Sequence, residues 1–275
     1  MEKIQLLVFL TIKGIGSASG IVFNNDSLFI ISDNSSYLYE YLLGEEKLNR
    51  IALLTPPQEN IEKKEKPDFE AITLKDAKLH LFGSGSTEKR MHSISYDLLK
   101  NKIGVKDLKP LYQEIKLKFA IADDVLNIEG AFYHNTDLYL FQRGNGGNST
   151  NGIIKVEDND FSKITFHAII LPKIKHVETT FTDAILVKDT IYFLAAAEDT
   201  TSTYEDGEVL GSILGKIDLK TLTLEETIQI SDKHKFEGLT LNSESEKEIE
   251  FLLCEDNDTE ELNTTIYKLK LITDH

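Results

Sequence analysis

The 275-residue chain predicts an all-β fold, a five-bladed β-propeller with four-stranded antiparallel blades. Three observations lead there. A short motif returns five times at intervals of 51, 59, 54 and 54 residues. Each copy is followed by further short apolar or alternating runs, and the chain opens on a strand that its last copy lacks.

The motif is clearest in Asp68-Phe69-Glu70-Ala71-Ile72, Asn127-Ile128-Glu129-Gly130-Ala131 and Lys235-Phe236-Glu237-Gly238-Leu239. Weaker copies are Ser17-Ala18-Ser19-Gly20-Ile21 and Phe181-Thr182-Asp183-Ala184-Ile185. These are the first strands, with Ser19, Glu70, Glu129, Asp183 and Glu237 in register. Second strands follow at Leu28–Ile31, Leu79–Phe82, Leu138–Phe141, Ile191–Leu194 and Ile249–Leu252. Third strands are visible at Tyr37–Tyr41, His92–Tyr96 and Thr265–Leu269, and fourth strands at Ile51–Leu54, Ile164–Ile169 and Thr227–Ile230. Their β-branched and aromatic content suits a pleated, half-buried surface.

The last unit supplies three strands. The opening run alternates Ile4, Leu6, Val8, Leu10 and Ile12 on a period of two, so it predicts the missing strand, pairing with the last blade to close the ring and remove a long free edge. A signal peptide is the competing reading of this run, but its basic region is one Lys beside Glu2 and its apolar core is short. A linear solenoid would need capping units that the sequence does not show. No linker interrupts the repeats, and residues 1–275 read as one domain. The turn and charge cluster from Pro56 to Pro67 reads as a surface loop between units.

A formal net charge of -16 opposes a nucleic-acid partner, since phosphate binding needs clustered Lys and Arg. It fits a cation or a cationic ligand, or a surface kept soluble by charge. Cys254 is the only cysteine, which excludes an internal disulfide and gives no support for an oxidising compartment. A cytoplasmic monomer with a small-molecule ligand is expected, or a periplasmic or secreted protein if the opening run is a leader. No stretch is long enough to span a bilayer as a helix.

In a blade that meanders outward, the start of the first strand and the end of the second lie on one face. Glu70, Glu129, Asp183 and Glu237 are therefore expected to ring one mouth of the channel, with Ser19 in the fifth place. At about 6 Å and an effective dielectric of about 20, each neighbouring pair repels by roughly 3 kcal/mol. Protonation, backbone N–H donors or a bound cation must offset that. An oxygen-only ring favours calcium over zinc. The competing reading is a non-enzymatic module whose face binds a protein or glycan, with the ring acids structural, each bonding to an adjacent blade.

The loops after the second strands add a second ring: Asp33-Asn34-Ser35, Ser84-Gly85-Ser86-Thr87, Arg143 to Asn148, Glu198-Asp199-Thr200 and Glu255 to Asp258. Expected ligand contacts are Asp33, Ser84, Arg90, Arg143, Glu198 and Glu255. Arg143 either neutralises Glu129 or clamps an anionic group. Lys89, His92, His176 and His234 supply further acid or base candidates. Gly83-Ser84-Gly85-Ser86 lacks nucleophile-elbow spacing. Gly144-Asn145-Gly146-Gly147 reads as a hairpin turn rather than a phosphate cradle. The acidic run from Glu255 to Glu261 lacks the glycine of an EF-hand loop and reads as solvated.

The motifs Ser19-Gly20-Ile21, Phe69-Glu70-Ala71-Ile72, Ile128-Glu129-Gly130 and Phe236-Glu237-Gly238-Leu239, with Leu28-Phe29-Ile30-Ile31-Ser32-Asp33, resemble bacterial propellers of the phytase-like (esterase-like) and SdiA-regulated type. The resemblance runs over nearly the whole chain. It implies a propeller with a calcium site and hydrolysis of an ester or phosphoester. The acid pattern departs from the family's at Ser19, and no complete catalytic set carries over.

Overall fold

Short apolar runs broken by turn residues can bury themselves only by hairpin pairing, and the computed structural model is built almost entirely that way. It describes residues 3–123, 125–144, 150–199, 207–256 and 262–272. β1 (Lys3–Lys13) is followed by a first blade of β2 (Ala18–Asn24), β3 (Ser27–Ser32), β4 (Tyr37–Leu42) and β5 (Lys47–Ala52). The second blade holds β6 (Phe69–Lys75), β7 (Lys78–Gly83), β8 (His92–Asp97) and β9 (Lys102–Asp107), and α1 (Lys109–Phe119) comes next. β10 (Ile128–His134), β11 (Asp137–Gln142), β12 (Gly152–Val156) and β13 (Ile164–Ala168) form the third blade. A small hairpin, β14 (Lys173–Ile174) and β15 (Val177–Glu178), leads to the fourth, β16 (Thr180–Val187), β17 (Thr190–Asp199), β18 (Glu208–Asp218) and β19 (Leu224–Ser231). The fifth has β20 (Phe236–Glu244), β21 (Glu248–Glu255) and β22 (Asn263–Ile272), with β1 as its fourth strand.

The fold is thus the five-bladed propeller that the repeats predict, closed by the N-terminal strand. β1 pairs antiparallel with β22 from Lys3↔Ile272 to Lys13↔Asn263. A bulge at Phe9 interrupts its alternation, and Val8, expected to be buried, is 63% exposed. The innermost strands close a ring in which β2 packs against β6 and β20, β10 against β6 and β16, and β16 against β20. The blade hairpins turn on tight loops: Asn25-Asp26 and Asp76-Ala77 both place two successive residues at positive φ, as a type I′ turn demands.

Five apolar clusters each fill one blade interface. Phe29 and Ile31 of the first blade meet Phe69, Leu79 and Leu81 of the second, for example. Phe141 of the third packs edge-on against Phe181 of the fourth at 5.3 Å. The closing interface joins Ile12 and Ile15 to Ile21, Leu252 and Cys254. Backbones approach closely near the axis. A Cβ on Gly130 would lie 2.8 Å from Ala184 N, and one on Gly238 2.9 Å from Ile21 N.

α1 was not foreseen, and it occupies the longest interval between repeats. Pro110 sits at its start, Ala120 ends it in the left-handed conformation, and Leu111, Tyr112 and Ile115 are buried between the second and third blades. Tyr112 Oη donates to Gly83 O at 2.8 Å, which ties the helix to the loop that follows β7. Among the described residues, no helix is long and apolar enough to cross a membrane.

Candidate functional site

Every innermost strand carries a bulge at the same place, and bulges re-aim side chains. The ladder skips one residue between Ala18 and Gly20, Phe69 and Ala71, Ile128 and Gly130, Phe181 and Asp183, and Phe236 and Gly238. The skipped residues are Ser19, Glu70, Glu129, Thr182 and Glu237. In the fourth blade the expected register is therefore off by one: Thr182, not Asp183, is the counterpart of the three glutamates. An aromatic signal marked it, because Phe181-Thr182 aligns with Phe69-Glu70 and Phe236-Glu237.

The two hydroxyls join blades. Ser19 Oγ donates to Phe69 O at 2.6 Å and Thr182 Oγ1 to Phe236 O at 2.7 Å. Asp183 occupies the place held by Gly20, Ala71, Gly130 and Gly238. Its carboxylate accepts from the backbone N–H of Ala184 and of Leu239, both at 2.7 Å. That is the inter-blade role of the structural reading, and it separates Asp183 from the other acids of the expected ring.

The remaining charges form two groups. On the side of the first two blades, Lys66 Nζ bridges Asp33 Oδ2 and Asp68 Oδ1, the latter at 2.7 Å. Arg90 Nη1 holds the other Asp68 oxygen at 2.8 Å, and Ser84 Oγ donates to that oxygen as well. Glu70 adds its carboxylate to this group. Single oxygens of Asp33, Asp68 and Glu70 lie within 4.8 Å of one another, and among the described residues this is the one such cluster of three potential metal ligands. Asp33 Oδ1 is buried without a hydrogen-bond partner, and Glu70 makes no hydrogen bond or ion pair among the described residues.

On the side of the last three blades, Arg143 donates through Nη1 to Glu129 at 3.2 Å, through Nη2 to Glu198 at 2.7 Å and through Nε to Thr180 Oγ1 at 3.2 Å. Lys235 Nζ pairs with Glu237 at 2.7 Å, Glu198 at 2.8 Å and Asp256 at 3.7 Å. Asn127 Nδ2 donates to Glu129 at 2.6 Å. Arg143, expected to neutralise Glu129 or to clamp an anion, does the first, and all three of its nitrogens are engaged.

Burial pushes Glu70 well above the usual carboxylate range, with repulsion from Asp68, Glu129 and Asp33 adding to it and only Lys66 opposing. Burial likewise lifts Glu129 up to about 7 against Arg143, and Glu237 up to about 8 against Lys235. Lys235 fails to hold Glu237 down because its one charge is divided among three carboxylates. Against the upward push of burial, Arg143 and Lys235 together bring Glu198 down to about 2. Burial raises Asp183 well above its usual value, opposed by the two N–H donors. Seven acids, Asp33, Asp68, Glu70, Glu129, Glu198, Glu237 and Asp256, thus face four cations, Lys66, Arg90, Arg143 and Lys235.

Glu255, an expected ligand contact, lies apart from both groups: it accepts from Tyr267 Oη at 2.7 Å and bonds His234 Nδ1. His92 packs edge-on against Phe69 at 5.3 Å, and His176 pairs with Asp199 at the surface. Residues Asn145, Gly146, Gly147 and Asn148 of the glycine-rich loop, Thr200, and Asn257 to Glu261 of the acidic run lie outside the described residues. Sequence reasoning missed Lys66, Asp68 and Lys235 as site residues, and from the loop after β21 it named Glu255 rather than Asp256 as the contact. Asp68, Asn127 and Lys235 stand two positions before the bulged acid in their own motif copies, a signal that was present. Lys66 gave none, since it ends a loop that reads as solvated.

One solved structure places the fold among known ones, and a second is reported beside it. Myxococcus xanthus glutaminyl cyclase, a bacterial propeller, aligns over 98% of this chain and 97% of its own with 11% identity and a TM-score of 0.56. A calcium-binding regucalcin of Agrobacterium tumefaciens aligns over 95% of this chain and 93% of its own, with 8% identity and a TM-score of 0.49. At these identities the likeness concerns the fold alone. No curated protein matches the sequence. The model of a family of unknown function, DUF6929, matches residues 14–271, nearly the whole propeller, and the chain belongs to that family.

Proposed function

We propose that this protein is a binding propeller whose channel mouth takes a hard divalent cation at Asp33, Asp68 and Glu70. The network of Glu129, Arg143, Glu198, Lys235 and Glu237 is then structural and locks the last three blades together. One observation carries the reading: Asp33 Oδ1 is buried and unpartnered beside Glu70, which no donor among the described residues neutralises. Carboxylate oxygens within 4.8 Å of one another repel by roughly 3 kcal/mol or more per pair at an effective dielectric of about 20. Lys66 and Arg90 offset only part of this for three acids. The donor set is oxygen alone, which suits calcium, and calcium tolerates the irregular geometry of loop and strand ligands better than magnesium does.

A bound cation stabilises the folded state by mass action, about 2.7 kcal/mol when the ion is at a hundred times its dissociation constant. The test is thermal unfolding against calcium concentration for the wild type and for Glu70→Gln. The melting temperature should climb with calcium in the wild type and stay nearly flat in the variant; a flat wild-type curve would remove the proposal. A single-domain cytoplasmic monomer is part of this reading.

A hydrolytic reading, on phosphoester, ester or lactone substrates as the phytase-like resemblance implies, draws support from His234. Glu255 fixes that imidazole through Nδ1, as a carboxylate orients a general base. Screening aryl phosphates, aryl esters and lactones with calcium, against His234→Ala as control, separates this reading from binding alone.

A further inference from the structure

The triad is not simply acidic, for the chain delivers a cation of its own into it. Lys66 Nζ touches two of the three carboxylates, Asp33 and Asp68, and its side chain is only 12% exposed. The loop that carries it is anchored to both neighbouring blades. Ile61 N donates to Asn34 O at 2.8 Å and Gln58 N to Ser36 Oγ at 2.7 Å on the first-blade side. On the second-blade side, Arg90 Nη2 donates to Lys63 O at 2.7 Å and Lys89 pairs with Glu65 at 2.6 Å. Lys66 N closes a turn on Glu62 O at 3.0 Å, and Asp68 N reaches Asp33 O at 3.1 Å. An ammonium held this way is aimed at the triad by its backbone and is not a surface lysine that happens to lie near.

We infer that Lys66 is the resident counter-ion of the Asp33–Asp68–Glu70 site, a tethered ammonium that a divalent cation must displace in order to bind. The inference rests on the cation reading of this mouth and gives it a regulatory element. Two independent features agree with it. Lys66 reaches Asp33 through Oδ2 and leaves Asp33 Oδ1 buried and bare, and it makes no ion pair with Glu70. One charge on a four-carbon arm therefore covers part of a three-oxygen site. A lysine ammonium is a compact point charge on a flexible stem, able to withdraw without moving the strands, whereas Arg90 grips the other Asp68 oxygen and can stay. With Lys66 in place the site exchanges one cation for another, so weakly charged ions gain little by entering. With Lys66 removed, the same carboxylates meet the ion unopposed.

Calcium titrations by calorimetry on the wild type, Lys66→Gln and Lys66→Met test this. Both variants should bind with a midpoint at least about tenfold lower than the wild type, because a like charge a few ångströms from the ion is gone. Identical midpoints in all three proteins overturn the displacement while leaving the cation site in place. Binding by none of them overturns the site and the inference together. Should either variant fail to fold without calcium, the wild type alone decides. Acetylation of Lys66 by acetic anhydride, read by peptide mass against exposed Lys247, should rise several-fold on adding calcium as the arm is released. An unchanged or slower rate overturns the inference.

Discussion

Replacing Arg143 by Met removes the guanidinium that links the third and fourth blades while keeping the apolar stem. The loss is three donors: to Glu129 at 3.2 Å, to Glu198 at 2.7 Å and to Thr180 at 3.2 Å. Glu198 keeps Lys235 at 2.8 Å, but Glu129 keeps only Asn127, so one buried carboxylate loses its ionic partner outright. Breaking a buried pair from one side costs about 3–5 kcal/mol. For a chain of this size each kcal/mol moves the melting temperature by about 2–4 °C, so a fall of about 10 °C is expected. The cost depends on pH in a defined direction. Burial already lifts Glu129 up to about 7, so in mild acid it is protonated and needs the guanidinium less. The Met variant should therefore lose less stability at about pH 5.5 than at about pH 8. Chemical denaturation followed by circular dichroism at both values measures this, with Glu129→Gln and the double variant completing a cycle. The double variant should recover part of the loss. A cost below about 1 kcal/mol at the higher pH, or strict additivity in the cycle, would refute the view that Arg143 serves the blades by pairing with Glu129.

Stability should fall as pH rises through neutrality. Glu129 and Glu237 have folded values of about 7 and about 8, above the ordinary carboxylate, so their stabilising contribution is complete below about pH 4.5 and is lost on passing those values. Melting temperature recorded from about pH 6 to about pH 9 should decline, and a rise would contradict the burial argument. Asp183→Ala leaves the buried N–H groups of Ala184 and Leu239 without acceptors, at about 1–3 kcal/mol each, and hydrogen exchange at these two amides should accelerate. Gly130→Ala forces a methyl to 2.8 Å from Ala184 N and should destabilise by about 1–3 kcal/mol, whereas Ala71→Gly at the equivalent place of the second blade relieves no clash and should cost less. Deleting residues 3–13 strips β22 of its partner and uncovers the cluster around Ile21 and Leu252; aggregation on size exclusion is the expected readout, and a well-behaved monomer would deny β1 its closing role.

The architecture was legible because repeats speak in multiples. Five copies of one bulged strand and five second strands fix the blade number even where single strands such as β9 and β12 escaped notice. β9, Lys102–Asp107, is exposed at every position and so carries no burial pattern to read. α1 was missed for the opposite reason. Its N-cap position is Leu108, whose side chain cannot cap, and its buried residues are a short set within a lysine-rich run. The slip at Asp183 shows what identity of charge can hide: an acid was matched to acids, but the bulge, defined by the preceding Phe, selects Thr182.

The candidate site was legible by sign and not by pairing. A ring of acids at the axis could be read from spacing, and Lys235 shares the register position of Asp68 and Asn127, but Lys66, which decides the other half, comes from a loop end whose reach no periodicity encodes. Their placement divides the mouth unequally. Around Glu129, Glu198 and Glu237, Arg143 and Lys235 pair with all three carboxylates, and among the described residues none of their oxygens is buried without a partner. Around Asp33, Asp68 and Glu70, Lys66 pairs with two of the three carboxylates, Glu70 has no ion pair among the described residues, and Asp33 Oδ1 stays bare. Carboxylates that serve only to hold blades would be expected to look like the first half on both sides, since a buried unpaired oxygen costs free energy that a Gln or Thr would spare. Ser19 and Thr182 show that this chain does place hydroxyls at the bulge where an inter-blade bond is all that is needed. The presence of Glu70 at the same bulge, beside two further acids, is the departure that the proposed cation would account for and that an inter-blade hydrogen bond does not.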